Sequence, residues 1–170
     1  SMKGPFLIER HITGEEYRAY VVDGRIRCLV LRKPAIIEGD GKSDIKSLLE
    51  QYNQTKRKKR LPRLTLNEAV VEKIGAAGYG LTDILPTGEV LEVSAKLGRS
   101  SGGSVEVLAP GALHDAVDKQ LASLLTRFHD LSFYAIDFIL DSSDQLPYVL
   151  EINARPQISS AIAPDYGNAV

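Results

Sequence analysis

The 170-residue sequence has no tryptophan, one methionine, one cysteine (Cys28) and three histidines (His11, His114, His129). A lone cysteine forms no internal disulfide, and these scattered histidines lack the spacing of a zinc site. Neither staple is required, because at roughly 100–200 residues per domain the length fits a single domain over 1–170 with mass enough for a core. The chain also lacks any apolar run near the roughly 18 residues of a membrane-crossing helix. Met2 leads straight into Pro5-Phe6-Leu7-Ile8 without the basic start and long apolar stretch of a secretory signal, and Ser1 ahead of it looks like the remnant of a cleaved tag. A reducing, cytoplasmic location is the expectation. Charge of one sign is missing too: 21 Lys+Arg against 22 Asp+Glu leave a net charge of -1, so neither nucleic acid nor a membrane is an expected partner. With 44% hydrophobic and 25% charged residues the composition excludes long disorder and coiled coil.

What is present reads as strands first. Phe6 to Ile8, Tyr17 to Val22 and Ile26 to Leu31 are β-rich runs, the last two separated by Asp23-Gly24, a strong short hairpin signal. Pro34 ends the third run and Gly39-Asp40-Gly41 marks a turn. Ser43 then caps an amphipathic helix running to about Gln54, with Ile45, Leu48, Leu49 and Tyr52 on one face. A basic loop, Lys56 to Arg63, leads to Thr65 and Glu68, spaced as a capping box for a second helix ending near Gly75. Val90 to Val93 reads as a strand and Arg99 to Gly103 as a Ser/Gly loop. Leu113 to Phe128 carries apolar residues at helical spacing and is expected to be the longest helix, lying across a sheet. Phe133 to Leu140 and Tyr148 to Asn153 form a closing hairpin around Asp144. The expected class is α+β, a mixed or antiparallel sheet with helices packed on it.

The closing hairpin carries the chemistry. Side chains alternate along a strand, so Glu151 and Asn153 share a face, and Asp137 falls opposite Glu151 because each lies seven residues from Asp144. Directly opposed carboxylates repel. A face holding two carboxylates and a carboxamide is therefore either a solvated polar stripe or a cation site, and oxygen-only ligands favour Mg²⁺ or Mn²⁺ over zinc. Phe133, Ala135 and Ile139 share the face, which gives it the look of a cleft wall.

At this point the residues resemble a known superfamily. Glu151-Ile152-Asn153-Ala154-Arg155-Pro156 is similar to the Glu-x-Asn-x-x-Pro run of ATP-grasp ligases, with Asp137 where their other metal carboxylate lies. Ile8 to Arg18 looks like their adenine- and ribose-receiving segment. Arg32-Lys33-Pro34-Ala35, Gly39-Asp40-Gly41-Lys42-Ser43, Leu85 to Glu89 and Ser100-Ser101-Gly102-Gly103 follow in the order of the cyanophycin-synthetase-like branch. The resemblance implies the C-terminal half of an ATP-grasp fold, the N-terminal subdomain lying before residue 1, in a carboxylate-amine ligase that works through an acyl phosphate. It also implies roles. Asp137, Glu151 and Asn153 would hold Mg²⁺ (or Mn²⁺). Glu9 and the backbone near His11 would meet adenine, Glu16 the ribose, and Arg32 or Lys33 the phosphates of ATP. Arg155, Ser100, Ser101 and Gly102 would lie toward a small-molecule or peptide carboxylate and its amine partner. Homo-oligomerisation is left open, and the isolated chain is expected to be inactive or weakly active. The chain departs from the family pattern at Ala135, Gln157 and Gly98, near the acceptor pocket.

Other signals are weaker. Lys56-Arg57-Lys58-Lys59-Arg60 has no interleaved aromatic for stacking bases and reads as a solvated loop or a contact for an anionic substrate. Gly41-Lys42-Ser43 mimics the end of a P-loop, but Ile36 stands where that motif needs glycine. Cys28, within a strand, is expected to be a buried small hydrophobe and not a nucleophile, and His114 and His129 structural. The competing reading of the whole is a non-catalytic α+β module with an acidic metal-binding face and a basic loop for an anionic partner.

Overall fold

Asp23 and Gly24 take φ of 49° and 67°, the pair of positive values a tight two-residue hairpin needs, and so fold β1 (Gly14–Val22) back on β2 (Arg25–Lys33). The structure is a computed structural model that describes residues 10–158 except Pro110, His114 and His129. The Phe6–Ile8 strand expected from the sequence lies outside these residues. Beyond β2 come β3 (Ile36–Glu38), α1 (Ile45–Lys58), α2 (Glu68–Ala76), β4 (Val90–Glu92), β5 (Ser104–Leu108), α3 (Asp115–Leu125), β6 (Phe133–Asp141) and β7 (Pro147–Asn153). Five strands form one sheet in the order β5-β2-β1-β6-β7, each neighbouring pair antiparallel, and β3 pairs with β4 separately. The class is α+β with an antiparallel sheet, as expected.

The two faces of the large sheet have different fates. Tyr17, Ala19, Leu29, Tyr134, Ile136 and Phe138 point to one side and are buried beneath Val117 and Leu121 of α3. The alternate residues of the same strands face the other way, where Tyr20, Val30, Val105 and Ala135 make a small apolar floor beside the charged residues. Among the described residues, α3 is the helix whose side chains enter this core. α1 and α2 instead close a separate core over β3 and β4, formed by Ile37, Ile45, Leu48, Leu49, Val70, Ile74, Leu85 and Leu91. Pro34 lacks the amide donor that would continue β2, and the chain re-pairs at Ile36 with Glu92.

Several helix boundaries differ from the sequence expectation. α1 is capped by Asp44, whose carboxylate accepts from Ser47 N at 2.7 Å, while Ser43 is taken up in a turn closed by Asp40. α2 is capped by Asn67, so Thr65 and Glu68 form no capping box. α1 runs four residues past Gln54 to Lys58 and, at 14 residues, exceeds the 11 of α3. Its last turn holds Lys56, Arg57 and Lys58, where positive charge suits the helix dipole. Lys56 is thus buried on a helix and not part of a solvated loop. β3 and β5 were not expected.

Candidate active site

Register brings Arg18 of β1 opposite Asp137 of β6, and Asp137 opposite Glu151 of β7. The pairing of Asp137 with Glu151 is the one expected from the sequence. A bulge follows, in which Phe138 pairs with Val149 and Leu150 is the extra residue, so the alternation of β7 restarts beyond Glu151. One row lower, Ala135 pairs with Asn153, and one row higher Glu16 pairs with Arg32 of β2. Asp137, Glu151, Asn153, Glu16 and Arg32 therefore share one face, together with Arg18.

Asp137 is 5% exposed and Arg18 12%, and the two form a fork: Arg18 Nε and Nη2 donate to Oδ1 and Oδ2 of Asp137 at 2.6 and 2.5 Å. A bidentate guanidinium is the partner a carboxylate needs when it leaves water. Hydrogen bonding to Asp137 raises the Arg18 pKa above its usual value in spite of burial, so the cation is permanent. Arg32 binds Glu16 and reaches Asp137 at 3.4 Å, and Glu151 stands 3.8 Å from Arg18. Three carboxylates thus face two guanidiniums, and one negative charge is left over, on a face from which Glu151 emerges 60% exposed.

A cavity of about 360 Å³ opens over this face, lined by Arg18, Arg32, Arg99, Gly98, Ser100 and Gln157 among others. Its roof is a single 3-10 turn, Arg99–Ser101, followed by Gly102 in the left-handed region (φ 81°). Helix α1 holds that loop down: Tyr52 OH donates to the Gly102 carbonyl at 2.5 Å and Lys56 Nζ to the Gly103 carbonyl at 2.8 Å. A side chain at Gly102 would put its Cβ 2.6 Å from the Leu64 backbone, so glycine is required by space as well as by φ. The far wall is the segment after β7, tied to the sheet by Tyr20 OH donating to the Gln157 carbonyl at 2.7 Å.

Not every residue singled out in the sequence arrives here. Lys33 alternates with Arg32, projects from the opposite face and binds Glu106 at 2.6 Å, so of that pair only Arg32 meets the acidic row. Asn153 Oδ1 accepts from Arg155 N at 3.0 Å, and the Arg155 side chain is exposed. Ser100 lines the cavity, Ser101 lines a neighbouring one, and Gly102 is the point where Tyr52 anchors the loop. His11 is exposed, and Glu9 lies outside the described residues. Arg18, Tyr52 and Lys56 were not singled out as site residues. Arg18 was findable, since Glu16 and Arg18 share a face with period two and a buried Asp137 demands a cation.

Among the described residues no group of three or more His, Cys, Asp or Glu side chains is gathered to cage a metal. Mg²⁺ does not need such a cage: it commonly takes one or two carboxylates and completes its shell with water and phosphate oxygens. Asp137 and Glu151 answer that description, with the Asn153 carboxamide oxygen beside them. Arg18 uses one lone pair on each Asp137 oxygen and Arg32 reaches Oδ2 at 3.4 Å, which leaves the second lone pair of Oδ1 for a cation.

The comparisons with known proteins agree on relatives. No protein-family model matches the chain. It is 28% identical over 171 residues to the cyanophycin synthetase of Trichormus variabilis, an alignment covering 95% of this chain and 19% of that protein. It is 30% identical over 165 residues to the glutathione biosynthesis bifunctional protein GshAB of Streptococcus thermophilus, covering 89% of this chain and 22% of that one. The chain therefore spans about a fifth of the length of the curated relatives it matches. The crystal structure of a bifunctional glutathione synthetase from Pasteurella multocida superposes with a TM-score of 0.67 at 22% identity, over 87% of this chain and 22% of that one, a likeness of fold.

Proposed function

We propose that this chain, which matches a cyanophycin-synthetase-like fragment of the ATP-grasp superfamily, supplies the phosphate- and magnesium-facing half of an ATP-dependent carboxylate-amine ligase. The observation that carries the reading is one sheet face on which carboxylates suited to a divalent cation stand beside guanidiniums suited to phosphate, beneath a cavity walled by three arginines and Ser100.

In this reading Asp137, Glu151 and Asn153 hold Mg²⁺ (or Mn²⁺), which when bound neutralises charge on the nucleotide phosphates. Arg18 holds the Asp137 carboxylate in place. Arg32, at the cavity wall, faces the phosphates, and Lys33 has no part in binding them. Glu16 meets the ribose hydroxyls, which asks Arg32 to exchange its bond to Glu16 for a phosphate oxygen. Glu9 and the backbone near His11 are proposed for the adenine edge. Ser100, Ser101, Gly102 and Arg155 lie toward the acceptor, a small-molecule or peptide carboxylate with its amine partner. The reaction is a double displacement. A carboxylate oxygen of the acceptor attacks the terminal phosphorus of ATP and the bond to ADP breaks, giving an acyl phosphate. The amine nitrogen then attacks the acyl carbon, phosphate leaves with the bonding pair, and the nitrogen loses a proton to give the amide. Electrostatic stabilisation and positioning are what such a transfer asks of a protein.

Two substitutions test the assignment. Asp137→Asn and Glu151→Gln, each in the native protein that carries this chain, are expected to abolish Mg²⁺-dependent binding of a fluorescent ATP analogue. Glu151→Gln is the cleaner, since its exposed side chain bears little on folding. Unchanged binding in both would leave the row a structural ion-pair ladder and return the chain to the class of non-catalytic binding modules.

A further inference from the structure

The apolar side of the large sheet is not covered evenly. α3 packs toward β7, and a groove of about 260 Å³ remains at the other end of the helix face, over the start of β2. Ile26 and Leu29 of β2 line it, and α3 contributes a stripe at helical spacing, Asp118, Leu121, Ala122 and Leu125. A further wall carries Leu113, which follows a turn closed by the Ala112 amide donating to the Ala109 carbonyl at 3.1 Å.

Two opposite charges interrupt this apolar lining. Arg25, at the first position of β2, is exposed, and Asp118 is half-buried. Neither enters an ion pair among the described residues, with the other or with any third group. A carboxylate drawn partly out of water beside leucines carries a desolvation cost that a cation in the groove would offset, and the planar fork of a guanidinium suits a carboxylate. Size narrows the ligand further. Pockets for drug-sized molecules run from roughly 300 to 1,000 Å³, and this one falls just below that range. The groove therefore suits something small that carries an ammonium, a carboxylate and an apolar body together.

We propose that this groove binds a free amino acid with an aliphatic side chain, its carboxylate on Arg25, its ammonium on Asp118 and its side chain against Leu29, Leu113 and Leu125. The inference stands apart from the ligase reading. Leu29 and Leu121 belong to the face of the sheet that packs under α3, whereas Arg32 and Asp137 project from the other face. An amino acid held behind the sheet is a bound ligand and not the group that reacts in front of it.

The test is equilibrium dialysis of radiolabelled leucine against the native protein, with two unlabelled competitors: 4-methylpentanoate, which lacks the amine, and 3-methylbutylamine, which lacks the carboxylate. Saturable binding of leucine is expected, each competitor being about tenfold or more weaker than unlabelled leucine, the size of one lost charge-assisted contact. Arg25→Gln and Asp118→Asn should each weaken leucine about tenfold or more. Neither side chain lies in a core or an ion pair, so both variants should melt within about 2 °C of wild type. Leucine and a non-hydrolysable ATP analogue should bind together. No saturable leucine binding, a competitor as strong as leucine, or unchanged affinity in either variant would overturn the proposal. So would mutually exclusive binding of leucine and the nucleotide, which would put the amino acid in the arginine-walled cavity. A protein that holds leucine through Arg25 and Asp118 but binds no nucleotide would refute the ligase reading alone.

Discussion

Replacing Arg18 by leucine should be among the most destabilising single changes on the charged face. The side chain makes two short hydrogen bonds to Asp137, and both groups are nearly shut off from water. Removing one partner of such a pair strands a buried charge, a loss of about 3–5 kcal/mol. Here Arg32 remains 3.4 Å from the same carboxylate and relieves part of the penalty, so the lower end, about 3 kcal/mol, is expected. Against a total stability of about 5–15 kcal/mol that is a large fraction, and it corresponds to a fall in Tm of roughly 6–12 °C. Urea denaturation of wild type, Arg18→Leu, Asp137→Asn and the double variant measures it. Asp137→Asn in the Arg18→Leu background should restore stability, because the stranded charge is gone, giving a coupling energy of about 2 kcal/mol. A single-variant loss within about 0.5 kcal/mol of zero, or additive effects, would refute the view that the fork holds Asp137 in place.

Further outcomes follow from the same geometry. Arg32→Ala should weaken ATP-analogue binding severalfold or more while Lys33→Ala, on the opposite face, leaves it unchanged; equal effects in a filter-binding assay would undo the assignment of faces. Gly102→Ala combines a left-handed φ of 81° with a Cβ 2.6 Å from Leu64 Cα, and a loss of about 2 kcal/mol or more is expected in thermal denaturation. Burial pushes the Tyr52 pKa from 10.0 up to about 12, so the unfolded chain loses this proton first on alkaline titration. The stability contributed by the neutral phenol is complete below pH 10 and declines as pH rises through about 12. Tyr52→Phe should lack this component, and identical alkaline unfolding profiles for the two proteins would contradict it.

Short-range signals carried much of this architecture. Asp23-Gly24 fixes a hairpin because few residue pairs accept two positive φ values, and counting outward from Asp144 along the sequence places Asp137 opposite Glu151. The same count fails beyond Glu151, where Leu150 bulges, since nothing local distinguishes a bulged residue from a paired one. The three-residue β3 is too short to show a period, and β5 exists because the open edge of β2 accepts it. Lys56 looked like one charge in a solvated run. Its burial depends on the Gly103 carbonyl, 47 residues away in sequence. The acidic half of the site was legible from strand alternation; the arginines that oppose it, and the helix that holds its glycine loop, depend on contacts between distant segments.

The most direct measurement is a calorimetric titration of the native protein carrying this chain with a non-hydrolysable ATP analogue, with and without Mg²⁺. The account predicts binding that requires Mg²⁺ and is lost in Glu151→Gln. Binding of equal strength without the metal, or no binding in either condition, would contradict it.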